Sequence, residues 1–246
     1  NNAFKGNATE TIIELRIAVQ EFYKAFEDDE SNHELVSLNH GLSPIHIAAG
    51  VSNINLLKRL QEKTTDKYPK SQEGWTPLHV AAELGNLKTF KTIFDKVKEK
   101  NLLAGLVEND WTPLHSIAIR GHLKMFKFVI NRIEDINPTT NGLTTVFDIA
   151  AFHGHFKICR FMMDKLEGSY NMVDLRPSFH SAAQGGQVKI CELFMNGLEN
   201  KNPSQHDGWT PFHGAAWYGQ LEVCKLFMQE IEETNPKSND GATVLH

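Results

Sequence analysis

The stretch Asp207-Gly208-Trp209-Thr210-Pro211-Phe212-His213-Gly214-Ala215-Ala216-Trp217-Tyr218-Gly219 recurs, with wear, along most of a chain of 246 residues. Its physical content is local. Asp207-Gly208 is a turn signal, since Gly takes a positive φ freely and Asp bonds its own backbone. Thr210 suits a helix N-cap, and Pro211 suits the first helical position, where its missing N–H costs nothing. Phe212, Ala215 and Ala216 share one face at helical spacing, and the small Ala pair lets another helix approach closely. Gly219 ends the helix. A second apolar run follows at once, through Leu221, Val223, Cys224, Leu226 and Phe227. Each unit therefore reads as turn, short helix, tight stop, second helix and return loop.

Equivalents of Thr210 are Ser43, Thr76, Thr112, Thr145, Pro177 and Thr243, at successive separations of 33, 36, 33, 32, 33 and 33 residues. The register holds internally. Fourteen residues after the first six of these positions stand Leu57, Phe90, Phe126, Cys159, Cys191 and Cys224, all apolar. Pro69, Pro138, Pro203 and Pro236 each lie seven residues before the next Thr position. They mark the return loop, because Pro holds the preceding residue extended. With Thr76-Pro77-Leu78-His79-Val80-Ala81-Ala82 and Thr112-Pro113-Leu114-His115 among its clearest copies, the chain resembles the ankyrin-repeat family over residues 41–246. The resemblance implies an all-α solenoid of stacked helix-turn-helix units with β-hairpin-like connecting loops. Repeats fall near 41–73, 74–109, 110–142, 143–174, 175–207 and 208–240, with a seventh beginning before His246. Such a match is specific for fold and nearly silent on function.

Residues 9–28 place Ile12, Leu15, Val19, Phe22 and Phe26 on one helical face, which the run Glu27-Asp28-Asp29-Glu30 then breaks. Residues 1–40 are read as an N-terminal half-repeat, because a terminal unit has no neighbour to bury its face. The chain lacks an initial Met and stops as a seventh repeat begins, so it is expected to be a segment of a longer protein. The first repeat has Ser43 for Thr and Ser52 for the stop Gly. The middle is the least regular part and is expected to be locally distorted. It has Asp110 for the hairpin Gly, Asp148 for the motif His, one extra residue after Gly142, and Pro177 without a Thr cap. Three additional residues within Lys96 to Asn109 read either as a tolerated surface insertion or as a partner-specific finger.

A net charge of −5 with no contiguous basic block argues against nucleic acid as the main ligand. No apolar run approaches the ~20 residues of a membrane span. Cys159, Cys191 and Cys224 share one repeat position, so they should stack about 8–10 Å apart. That exceeds the reach of a disulfide, whose Cα atoms lie about 4.4–6.8 Å apart. They are read as buried small apolar residues. Unpaired thiols favour a reducing compartment, hence a cytoplasmic or nuclear location.

His46, His79, His115, His180, His213 and His246 share the motif position. The family resemblance implies a structural role for them, tying hairpin to helices. His153 and His155 are close in sequence, but nothing completes a metal-ligand set around them. Nucleophile-elbow, phosphate-loop and H-E-x-x-H patterns are absent. No catalytic, cofactor or metal site is expected, and the chain is read as a non-catalytic monomer.

The resemblance also implies that partners dock on a concave face lined by return hairpins and first helices. Two sets of positions map to it. One precedes the Thr position: Leu42, Trp75, Trp111 and Trp209, with Arg176 in the fifth repeat. The other precedes the stop Gly: Glu83 and Leu84, Ile119 and Arg120, Phe152 and His153, Trp217 and Tyr218. All four Trp residues fall in these sets, and Trp, Tyr and Arg dominate binding hot spots. The competing reading is that Trp75, Trp111 and Trp209 pack against neighbouring hairpins. Asn137, Asn202 and Asn235 stand eight residues before a Thr position. In this family that position can be a target of asparaginyl hydroxylation; the alternative is a turn Asn before Pro. The expected function is a scaffold or adaptor that binds proteins or peptides. The rival is a cytosolic regulatory segment of a larger ion channel or enzyme. Lipid or nucleotide binding on the concave face is disfavoured by the acidic balance.

Overall fold

A computed structural model describes residues 17, 41–96, 111–166 and 175–245. The half-repeat expected over 1–40 (apart from Ile17), the insertion beyond Lys96, and His246 lie outside the described residues.

The described residues form twelve helices and no strand, an all-α repeat solenoid. First helices are α1 (Pro44–Gly50), α3 (Pro77–Glu83), α5 (Pro113–Arg120), α7 (Val146–Phe152), α9 (Arg176–Gln184) and α11 (Pro211–Trp217). They alternate with second helices α2 (Ile54–Lys63), α4 (Leu87–Phe94), α6 (Leu123–Ile130), α8 (Phe156–Leu166), α10 (Val188–Gly197) and α12 (Leu221–Glu230). The chain divides into two compact units, one through Arg120 and one from Gly121.

These helices are too short to persist alone, since isolated helices below ~12–15 residues are marginal in water. Caps and packing hold them. The hydroxyls of Thr76, Thr145 and Thr210 accept from the N–H groups of His79, Asp148 and His213 at 3.4, 3.1 and 3.4 Å. Gly85, Gly121, Gly154, Gly186 and Gly219 end the first helices with φ between 68° and 79°. Ser52 occupies the same slot and is forced to φ 58°. Each described hairpin turns through a tight four-residue bend, as in Gly208 N–H to Gln205 C=O at 3.0 Å, with strand-like pairing reduced to isolated bridges.

The middle repeats are distorted as the sequence predicts, at two definite points. Gly142 does not take the left-handed hairpin position; Leu143 does, at φ 59°, with its side chain 81% exposed. The extra residue has moved the turn past the glycine. The second point is α9, which starts at Arg176 from Leu175 with no side-chain cap, ahead of the Pro177 register.

In the unit through Arg120, Ala48, Ala49, Ala81 and Ala82 are fully buried where α1 packs on α3. In the unit from Gly121 the core is an aromatic chain. Phe147 meets Phe194, Phe194 stacks on Phe179, Phe179 on Phe227, and Phe227 on Phe212, at centroid distances of 5.7, 5.3, 5.8 and 5.3 Å. Each such pair contributes about 0.5–1.5 kcal/mol beyond its buried area.

Candidate functional site

The motif histidines set the hairpins against the helices. The backbone N–H of Thr76 donates to Nδ1 of His79 at 3.3 Å, and Nε2 of His79 reaches the carbonyl of Trp111 at 3.0 Å. A carbonyl only accepts, so Nε2 carries the proton and Nδ1 is the acceptor. His46 repeats this with Ser43 N–H and the Trp75 carbonyl, at 3.0 and 2.8 Å. His213 does so with Thr210 N–H and the Ala242 carbonyl, at 3.2 and 3.3 Å. Burial opposes protonation: it pushes His79 and His180 down to about 4, and lowers His46, despite the bonded carbonyls that favour the charged form. His46, His79 and His180 are therefore neutral at physiological pH.

This ladder fixes the hairpin tryptophans. Trp75, Trp111 and Trp209 are half-buried. Each leans on the motif His of its own repeat, with centroids 5.8, 5.3 and 5.4 Å apart. Trp75 also packs with Leu84 on Leu42 and Val80, and Trp111 Nε1–H donates to Ser116 Oγ at 3.0 Å. One part of each indole is therefore structural and another is open. In the fifth repeat Arg176 instead donates to the Ser204 carbonyl at 3.1 Å.

The positions before the stop Gly differ strongly among themselves. The side chain of Glu83 is only 3% exposed and is ion-paired with Arg120, so its carboxylate is not offered outward. Leu84, Ile119, Arg120 and Phe152 are half-buried, and His153 is exposed, edge-on to Phe152 at 5.2 Å. Trp217 is 75% exposed and Tyr218 47%. Trp217 meets Trp209 edge-to-face at 5.9 Å, so these two form an aromatic corner beside Tyr218.

The reason for this spread was not visible in any single repeat. In three repeats the residue that precedes the second helix reaches back over the helix end of the repeat before it. Gln187 Nε2 donates to the Phe152 carbonyl at 3.0 Å, Gln220 Nε2 to the Gln184 carbonyl at 2.8 Å, and Asn86 Nδ2 to the Ala49 carbonyl at 3.2 Å. A Cβ built on Gly154 or Gly186 would fall 2.4 Å from these Gln side chains, whereas Gly219 meets nothing within 4 Å. Trp217 is open because no described residue covers the end of α11. The same holds along α12: Met228 is 60% exposed, whereas Ile130 and Met195 at its repeat position are 4% and 3% exposed. Cys224 follows suit. It is half-exposed, where Cys159 and Cys191 are buried as expected. None of the three is in a disulfide.

The two described loop Asn residues that precede a complete helix pair have structural work. Asn137 Oδ1 accepts from Phe147 N–H at 3.0 Å, and Asn202 Oδ1 from Phe212 N–H at 3.2 Å. Each satisfies an orphan donor in the first turn of a helix. Asn235 is exposed. Among the described residues no three His, Cys, Asp or Glu side chains converge to hold a metal ion, and no helix is long and apolar enough to cross a membrane.

A family model described as ankyrin repeats matches the chain in three copies, over residues 15–103, 97–174 and 179–246. Comparison with curated proteins returns no match. Ankyrin repeats generally mediate protein–protein interaction, and the family is typically non-catalytic. The period, the capped first helices, the histidine ladder and the family match agree, and the chain belongs to the ankyrin-repeat family.

Proposed function

We propose that this chain is a non-catalytic scaffold or adaptor that binds a protein or peptide on its hairpin and first-helix side. The observation that carries the reading is the corner of Trp209 and Trp217 beside Tyr218. A large, rigid aromatic surface is the composition of a binding hot spot. The open parts of Trp75 and Trp111, with Leu84 and Ile119, extend the same chemistry within the unit through Arg120. Phe152 and His153 add to it in the unit from Gly121. A reducing location, cytoplasmic or nuclear, suits the unpaired thiols.

A second reading is favoured by the surface of α12. Leu221 and Met228 are 63% and 60% exposed on the face that a following repeat covers in the earlier units. Such a face suits packing against another folded body, as when an ankyrin segment regulates a larger ion channel or enzyme.

The test is affinity capture with the wild-type chain beside W217A/Y218A, read by mass spectrometry, with circular dichroism to establish that both are folded. Loss of the captured protein from the double variant alone supports the first reading. Undiminished capture by the double variant removes it.

A further inference from the structure

The second helices carry a cation ladder that the net charge hides. Twelve residues after the Thr positions stand Asn55, Lys88, Lys124, Lys157, Lys189 and Glu222. Fifteen residues after them stand Lys58, Lys91, Lys127, Arg160, Glu192 and Lys225. All of these are exposed. Residues three apart on a helix are surface neighbours, so each pair shares one outward face. The cations are scattered at the repeat period, which is why no basic block shows in the sequence.

In the unit from Gly121 the ladder runs along α6 and α8. These two helices pack together, with Phe126 edge-on to Phe161 at 6.3 Å. Lys124 and Lys127 stand on α6; Lys157, Arg160 and Lys165 stand on α8. Phe161 ties them into one surface: Lys127 Nζ lies 5.0 Å and Lys165 Nζ 5.9 Å from its ring centre. Asp164 is the only acidic residue in either helix, and Arg160 Nε donates to it at 3.0 Å. Phe156, at the start of α8, is 40% exposed. Acidic residues gather elsewhere in the unit: Glu199, Glu230, Glu232 and Glu233 line a groove between return loops.

We propose that the outer face of α6 and α8 docks on an anionic lipid surface. The composition of the face selects this partner. Ammonium groups on long apolar stems reach headgroup phosphates while their stems and the exposed Phe156 ring lie at the acyl boundary. Each Lys or Arg near an anionic bilayer adds attraction, with no demand for a fixed geometry. Nucleic acid fits less well. Neither α6 (LKMFKFVI) nor α8 (FKICRFMMDKL) contains Ser, Thr, Asn or Gln, the neutral polar types that share phosphate, sugar and base contacts. Phe161, the natural stacking ring, is already occupied by ammonium groups. The proposal is independent of the protein-binding reading, which concerns the hairpins and first helices.

The experiment is co-sedimentation of the whole 246-residue chain with phosphatidylcholine vesicles, with and without phosphatidylserine. Expected is sedimentation with the anionic vesicles only, abolished by high salt. K124E/K157E changes two exposed positions and should weaken the partition at least about tenfold, with an unchanged melting curve. K201E/K237E makes the same change in net charge on the return loops and should leave binding within about twofold. The proposal is overturned by failure to sediment, by equal sedimentation with neutral vesicles, or by equal weakening in both double variants. Binding of single-stranded RNA without vesicle binding also overturns it, in favour of a nucleic-acid partner.

Discussion

Ser178 donates its hydroxyl to Asp148 Oδ1 at 2.6 Å, joining the first helices of two successive repeats. Both residues depart from the motif, Asp148 from the His and Ser178 from the Pro that follows the cap. The departures compensate one another. The motif His donates to a carbonyl of the next repeat; Asp148 can only accept, and Ser178 supplies the donor. The other carboxylate oxygen accepts the Thr145 N–H at 2.9 Å, as Nδ1 of His does elsewhere. Burial raises the Asp148 pKa, and its bonds to Ser178 and Thr145 oppose that.

S178A should therefore cost about 1–3 kcal/mol, the penalty of a buried acceptor left without its donor. D148A in the same background should cost less than D148A alone. A double-mutant cycle by urea denaturation should return a coupling of about 0.5–3 kcal/mol. Strict additivity would mean that the hydrogen bond contributes nothing.

L143G should stabilise the fold. A non-Gly residue in the left-handed region costs about 1–2 kcal/mol, and Leu143 is 81% exposed, so little packing is lost. The added unfolded-state entropy of Gly returns about 0.5–1 kcal/mol, leaving a gain on the order of 1 kcal/mol. G208A should act oppositely, because Gly208 has φ 82° and its Cβ would lie 2.7 Å from the Asn239 backbone nitrogen. A lower denaturation midpoint for L143G would contradict the assignment of strain.

Stability should fall as pH drops from about 6.5 towards 4. His79 and His180 ionise near 4 when folded, below their ordinary value of 6.5. Below 6.5 the unfolded chain takes up protons that the folded chain refuses, so the unfolded state gains. Each His contributes on the order of 3 kcal/mol at the acid limit, and their contribution is flat above about 6.5. Thermal melts across this range check it, and H79Q should flatten part of the slope.

Thiol labelling should distinguish the three cysteines. Burial pushes Cys159 and Cys191 up to about 12, so both are shielded and un-ionised. Cys224 is raised too, but it is half-exposed. Iodoacetamide on the native chain should modify Cys224 first and the other two only at the rate of opening. Equal rates at all three would contradict the packing of α8 and α10.

The repeat period made the fold legible, because each unit states its own turn, cap, stop and apolar face. Features that arise between repeats were not legible in that way. Gln187 and Gln220 look like ordinary polar residues before a helix, and only stacking shows that they clamp the repeat before. Glu83 reads as an exposed helix-end residue, yet Arg120, 37 positions on, draws it inside. Lys124 and Lys157 lie far apart in sequence and belong to helices that pack side by side. Leu143 was hidden for another reason: Gly142 beside it looked like the turn residue, and only the backbone shows which of the two turns.

The most direct measurement is site-specific photo-crosslinking of a captured partner from two positions, Tyr218 beside the aromatic corner and Lys189 on α10. Adducts from position 218 and none from position 189 are predicted. Adducts from 189 with none from 218 would contradict docking on the hairpin and first-helix side.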